Sequence, residues 1–187
     1  MGYPVSLKIE YPEKSNKSTA LFRLVLIIPI ILILALIASA EAFSIAVALM
    51  IIFKEKYPKW WFDWNVGITK FIYRIAAYGL LMRDEYPSTD DEQAVQVDIP
   101  YPDTKKNLNR WMPLVKWFLA IPHFIALVFM FIAVVFCTIF AWFMILFTGR
   151  YPRGIFDFVE GFLRWSLRVN AYAFLLTTDE YPPFKLG

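Results

Sequence analysis

The sequence YPKWWFDWNVGITKFIYRIAAYGLLMRDEYP, residues 57–87, returns about ninety-four residues later as YPRGIFDFVEGFLRWSLRVNAYAFLLTTDEYP, residues 151–182. Both stretches open on Tyr-Pro, carry Phe-Asp, Gly, Arg and Tyr in the same order, and close on Asp-Glu-Tyr-Pro. Similarity that recurs at one long period indicates an internal duplication. We therefore predict two tandem units, residues 1–88 and residues 89–187, and an interpretation of one unit has to hold for the other.

Each predicted unit begins with a short segment in which apolar and polar residues alternate. These segments are residues 5–10 and residues 95–99. Period-two alternation is typical of a strand with one buried face, and two equivalent strands can pair. Because an isolated two-stranded ribbon is only marginally stable, we expect the pair to be supported by the membrane face or by a partner.

A long apolar run follows each strand-like segment, at residues 21–53 and residues 117–148. The chain has 187 residues, of which 59% are hydrophobic, so a soluble fold of this size has no core large enough to hide both runs. Each run exceeds the roughly 20 residues that cross a bilayer. Pro29 and Pro122 each lie six residues after a cation, which predicts a short interfacial lead-in before each span.

A second hydrophobic helix is predicted in each unit, at residues 62–82 and residues 156–176. On a helical projection the charged residues and one glycine fall within a narrow arc, and the remaining circumference is apolar. We call this arc the charged stripe; it consists of Asp63, Gly67, Lys70 and Arg74 in the first unit and of Asp157, Glu160, Gly161, Arg164 and Arg168 in the second. The predicted fold is thus an all-α integral membrane protein with about four hydrophobic helices, two spans and two charged-stripe helices, plus two short strand-like segments.

The cations of the charged stripe stand four residues apart, as Lys70 with Arg74 and Arg164 with Arg168, so that like charges face each other on the helix. An anion is expected to offset them. Glu160 lies four residues before Arg164 and can supply part of that charge, and a lipid phosphate or a partner's carboxylate can supply the rest. The alternative is that the stripe reaches the membrane interface and binds nothing specific.

The topology stays open at the level of sequence. Two spans in each unit give four helices with both termini on one side of the membrane. However, cations flank both ends of each apolar run, so the distribution of positive charge does not orient the chain. Positive charge at both ends also fits shallow hairpins and interfacial helices that do not cross.

Three further residues are candidates for chemistry. Glu41 lies within the first apolar run, where an ionisable group costs roughly 3 kcal/mol on insertion scales, and the second unit has an apolar residue there. His123 has no Cys, Asp or Glu at ligand spacing, so no metal site is expected. Cys137 is a single cysteine, which fits packing in a helix better than redox chemistry. No catalytic or cofactor-binding motif is present, so the chain is expected to be non-enzymatic and without a cofactor.

The second unit carries motifs that resemble a known family. They are YPRGIFDF at residues 151–158, Arg164-Trp165, Arg168-Val169, Ala171-Tyr172 and the ending DEYPPF at residues 179–184. This set resembles the prokaryotic membrane-protein family catalogued as domain of unknown function four-three-eight-nine. The first unit departs from it, since Lys70 replaces the first arginine and Trp61 and Trp64 flank the Phe-Asp pair. The resemblance implies a bacterial or archaeal membrane protein, often with two such units, and it implies no catalytic residues.

Small residues recur at helical spacing in both apolar runs and allow close approach of helices in a bilayer; they are Ala38, Ala42 and Ala46 in the first run and Ala133, Cys137 and Ala141 in the second. We therefore expect a multi-pass protein of the cytoplasmic membrane that serves as an accessory or stabilising subunit of a larger assembly, or as a homo-oligomeric scaffold. A different class is a protein that binds anionic lipids or shapes the membrane. A third possibility is a small transporter or channel that uses Glu41. A net charge of +3 is too small and dispersed to predict nucleic-acid binding.

Overall fold

A computed structural model describes residues 3–38, 42–89, 91–104, 106 and 108–187 of the chain. Helices account for most of these residues, and two short strands complete the fold. The elements in chain order are β1 (Ser6–Ile9), α1 (Lys17–Leu26), α2 (Ile28–Ala38), α3 (Ala42–Lys54), α4 (Lys59–Gly79), β2 (Val95–Asp98), α5 (Met112–Thr148) and α6 (Arg153–Ala173).

The two equivalent strands pair with each other, as the alternation of their residues predicted. They form an antiparallel two-stranded sheet in which Ser6 faces Asp98 and Ile9 faces Val95. Alternate side chains of each strand are buried, so the sheet has one apolar face turned inward and one polar face turned outward. The support that a two-stranded ribbon needs comes from the helices of the same chain.

The first apolar run is divided, whereas the second is one continuous helix. Helix α1 ends at Leu26, where Pro29 has no N–H to bond the carbonyl four residues earlier, and α2 begins at Ile28. This break lies beside Pro29, where the sequence predicted a lead-in before the span. In the second unit no break separates a lead-in from the span. Helix α5 contains the equivalent Pro122 without ending there. It ends at Thr148, and Gly149 caps it with a left-handed φ of 72° and an N–H bond to the Ile145 carbonyl.

Helix α5 is far longer than a bilayer requires. Its 37 residues correspond to a length of about 55 Å, against about 30 Å for the hydrocarbon core of a membrane. The difference matters for how the helix can be placed in a membrane.

The units interlock, because each one packs its strand on the charged-stripe helix of the other. Strand β1 packs on α6, and β2 packs on α4. The Tyr-Pro turns repeat this exchange: the Tyr11 hydroxyl donates to the Tyr151 carbonyl, and the Tyr101 hydroxyl donates to the Tyr57 carbonyl. Residues 1–88 and 89–187 are thus similar in sequence, and each takes part of its core from the other.

The main core lies between the sheet and the long helices. The inward side chains of the sheet, including Leu7 and Val97, belong to one buried cluster with Val134, Ala141 and Ile145 of α5. Helices α4 and α6 contribute to the same cluster through their buried aromatic residues. This arrangement decides where the charged stripe and the exposed apolar surfaces are presented.

Candidate functional site

In the second unit the charged stripe holds a strand. The Arg164 Nε donates to the Leu7 carbonyl of β1 at 3.1 Å, and a terminal nitrogen of Arg164 lies 3.2 Å from Glu160 Oε1. The same Glu160 oxygen accepts the Ile9 backbone N–H at 2.8 Å. An ion pair that also satisfies two backbone groups at the edge of a strand fixes that strand on α6. These two residues are therefore occupied by contacts within the chain.

Arg168 holds the C-terminal segment against the same helix. Its side chain is 8% exposed and donates to the carbonyls of Lys185 at 3.2 Å and Gly187 at 3.1 Å. Burial lowers the pKa of the Arg168 guanidinium, and the charge of Arg164 adds to that effect. A Cβ at Gly161 would lie 2.8 Å from Leu186, so this glycine allows the tail to approach α6 closely. The tail covers the charged stripe of the second unit.

In the first unit the stripe is more open. Arg74 donates to the Ser88 carbonyl at 2.5 Å, but Lys70 is exposed and a Cβ at Gly67 would meet no atom within 4 Å. Asp63 forms an exposed ion pair with Lys59 at 2.7 Å.

Asp157 of the second unit forms the equivalent exposed pair with Arg153 at 3.1 Å. Both aspartates thus pair with a cation of their own helix, whereas Glu160 also bonds strand β1. The stripe is one feature in sequence and two different surfaces in the structure.

Among the other predicted candidates, Glu41 lies outside the described residues. His123 is fully buried, where its Nδ1 accepts from Trp165 Nε1 at 3.1 Å and its ring stacks on Phe184 at 3.9 Å between centroids. The histidine thus joins α5, α6 and the C-terminal segment. Cys137 is half-buried on α5.

Two buried cations, one in each unit, have equivalent surroundings. Arg23 of α1 is 3% exposed and lies 2.5 Å from Asp84, with its guanidinium 4.0 Å from the centre of the Tyr78 ring. It also donates to the Arg83 carbonyl at 2.9 Å. The charge is therefore compensated on three sides although the side chain is removed from water.

Lys116 of α5 repeats that arrangement. It is 1% exposed, lies 2.7 Å from Asp179, donates to the Thr178 carbonyl at 2.8 Å, and has the Tyr172 ring at 5.2 Å. We call Arg23–Asp84 the first buried pair and Lys116–Asp179 the second buried pair.

Each aspartate of a buried pair also contacts the chain just before the apolar helix begins. Asp84 accepts the Asn16 N–H at 2.7 Å, and Asp179 accepts the Asn109 N–H. The Asp-Glu-Tyr-Pro motif that closes each unit thus anchors the beginning of that unit's apolar helix. The motif is recognisable in the sequence as part of the repeat, but its contact with the apolar helix was not predicted. The matching cations Arg23 and Lys116, each in an apolar context, were a usable signal.

Many large apolar side chains of α1, α2, α3 and α5 are exposed. We call these exposed side chains the apolar surface. Within the described residues, two helical stretches are long and apolar enough to cross a membrane, Lys17–Ala35 and α5. Only 17% and 11% of the most apolar 18 residues of these two stretches are buried, so most of their apolar side chains lie on the outside of the molecule.

The fold and these surfaces define a duplicated, mostly helical protein with two exposed apolar helices of membrane-crossing length. The family model described as Domain of unknown function (DUF4389) matches residues 17–89 and 110–185, and the chain belongs to this family. The two matched segments confirm the resemblance and its tandem arrangement. Neither a curated protein nor a solved structure matches the chain.

Proposed function

We propose that the chain is a non-catalytic integral membrane protein of a bacterial or archaeal cytoplasmic membrane, acting as an accessory or stabilising subunit of a larger membrane assembly or as a homo-oligomeric scaffold. The observation that carries the proposal is the apolar surface. On α5 alone it presents Phe118, Phe129, Phe136 and Phe147, each at least 68% exposed. Large exposed apolar patches mark surfaces that contact a membrane or another protein.

The charged groups support a structural function rather than a chemical one. Arg164, Arg168 and the two buried pairs are occupied by carbonyls and carboxylates of the same chain. Each of these contacts fixes one element on another, which gives a rigid body whose apolar surface has a defined shape. Such a surface is suited to packing against the helices of a membrane partner.

The contact to test is the close approach of a partner helix to α5. Ala133 and Cys137 of α5 are only half-buried, whereas Ala141 of the same small-residue series lies in the core. Half-buried small residues allow a partner helix to pack closely in a bilayer. Ala133→Leu is expected to block that approach, and Val135→Leu, at an exposed position on another part of the helix, is the matched control.

The measurement is native mass spectrometry of the chain released from its own membrane in mild detergent. We expect a complex of fixed stoichiometry, formed with a second copy or with another membrane protein, that persists in Val135→Leu and is lost in Ala133→Leu. A wild-type chain that runs alone as a monomer would refute the proposal.

A second candidate function is binding of anionic lipids, and it is favoured by the open stripe of the first unit. Lys70 is exposed beside the uncovered Gly67, whereas Arg164 and Arg168 are bonded to carbonyls of the same chain. Lys70→Gln is expected to reduce co-purifying anionic lipid, with Lys106→Gln as a control at another exposed lysine. Equal lipid content in the two variants would count against this function.

A further inference from the structure

Adjacent residues of α6 show how the sheet lies relative to α5. Arg164 donates to the Leu7 carbonyl of β1 at 3.1 Å, and Trp165 donates to His123 of α5 at 3.1 Å. Strand β1 is therefore level with a point in the first half of α5, with α6 between them.

The preceding turn of α6 also lies between the sheet and α5. The Phe162 ring lies 6.2 Å from that of Phe131 in the middle of α5, and Glu160 bonds the Ile9 N–H of β1. The inward side chains of the sheet share a core with Val134 of α5. The sheet thus lies alongside the middle of α5, across the core from it, and not beyond either end.

The two outer faces of this arrangement have opposite chemistry. The sheet exposes Lys8 and Asp98, whereas the exposed side chains of α5 from Leu114 to Phe147 are all apolar. If α5 crossed the membrane, Lys8 and Asp98 would lie at the depth of its middle. A charge there costs roughly 3 kcal/mol on insertion scales, and two such charges would be exposed.

Both ends of α5 also contact the ends of the first unit's apolar helices. The Gly149 carbonyl accepts the Ser15 N–H at 2.9 Å just before α1, and Arg110 donates to the Ile52 carbonyl of α3. Exposed cations lie at each of these junctions: Lys17 and Arg150 at one, and Lys54, Lys56 and Arg110 at the other. Cations at both ends match a helix whose two ends lie at the level of anionic headgroups.

We infer that the apolar surface inserts into one leaflet of an anionic bilayer, with α5 lying in the membrane plane and the sheet facing water. This inference rests on the proposed membrane residence and decides how the chain is inserted. It explains why α5 is about 55 Å long without conflict with a hydrocarbon core of about 30 Å. It also accounts for positive charge at both ends of the run, which a single crossing does not require.

Site-directed labelling tests the inference. In a Cys137→Ala background, single cysteines replace Lys8 on the sheet, Lys106 before α5 and Arg150 after it, all at exposed positions. Sealed vesicles of both orientations are treated with a membrane-impermeant maleimide, and detergent-solubilised protein defines full labelling. We expect all three cysteines to react from the same side and none from the other. Reaction of Lys106→Cys and Arg150→Cys from opposite sides would overturn the inference.

Depth measurement gives a second, independent result. Spin labels at Phe118→Cys, Phe129→Cys and Phe147→Cys lie along the outer face of α5, with the outer two about 44 Å apart. Collision with oxygen and with a polar relaxant in anionic vesicles is expected to give one common depth. A central label deeper than both others would show that α5 crosses. Release of the whole chain by an alkaline wash would instead refute membrane residence itself, so the two failures are distinguishable.

Discussion

The second buried pair gives a prediction whose size follows from burial. In Asp179→Ala, the Lys116 ammonium loses its carboxylate while its side chain is only 1% exposed. Removing one partner of a buried pair typically costs about 3–5 kcal/mol because the remaining charge is uncompensated. For a chain of this size, one kcal/mol corresponds to about 2–4 °C, so the unfolding midpoint is expected to fall by about 6–20 °C.

The matched control has the same geometry without the burial. Lys59–Asp63 also has its charges 2.7 Å apart, but its side chains are 66% and 53% exposed. Exposed pairs contribute about 0.3–0.5 kcal/mol, so Asp63→Ala is expected to change the midpoint by no more than about 2 °C. Distance alone therefore does not explain a difference between the two variants.

The assay is thermal unfolding of the detergent-solubilised chain, followed by circular dichroism, for the single variants and for Lys116→Met combined with Asp179→Ala. Removing both charges is expected to recover part of the loss, since no unpaired buried charge remains. Recovery is incomplete because Asp179 also accepts the Asn109 N–H. Equal midpoints for Asp179→Ala and Asp63→Ala, or a double variant less stable than Asp179→Ala, would refute the reasoning.

Two further predictions use equivalent glycines and a buried tyrosine. Gly161→Ala places a Cβ 2.8 Å from Leu186 and is expected to destabilise the fold by about 1–3 kcal/mol. Gly67→Ala has open space around the new Cβ and is expected to stabilise the fold by about 0.5–1 kcal/mol. Thermal unfolding checks both, since the midpoint should fall in the first variant and rise in the second. Burial raises the pKa of Tyr57 to about 12, against about 10 for an unfolded tyrosine, so its contribution to stability is complete below about pH 10 and is lost as the pH rises through about 12. Tyr57→Phe is expected to reduce the dependence of the free energy of unfolding on pH between about pH 10 and 12. An unchanged dependence on pH would contradict the raised pKa of Tyr57.

The strands and stripe helices were predictable because their signals are local. Alternation over a few residues marks Ser6–Ile9 and Val95–Asp98, and a helical arc marks α4 and α6. The two prolines predicted a lead-in in both units, but only the first apolar run is divided beside its proline. Pro122 occupies the equivalent place, and α5 continues through it, held by the packing of His123 against Trp165. The effect of a proline here depends on contacts that the local sequence does not contain.

The residues of the candidate site were predicted, together with one of their contacts, the Glu160–Arg164 ion pair. Arg164 and Arg168 were identified as a charged pair that needed an offset, and the structure provides that offset from Glu160 and from backbone carbonyls of β1 and the C-terminal tail. The buried pairs were not identified as pairs. Arg23 is sixty-one residues from Asp84 along the chain, and only the antiparallel packing of the apolar helix on α4 brings them together.

The sequence by itself determined the duplication, the apolar runs and the family, because each is a pattern of residue types along the chain. The tertiary structure decided that the units exchange their strands, that the repeated cations are buried on repeated aspartates, and that one stripe is covered while the other stays open. It also placed a polar sheet across the core from an apolar helix. These features depend on distances between residues far apart in sequence, which only the packing of helices and strands defines.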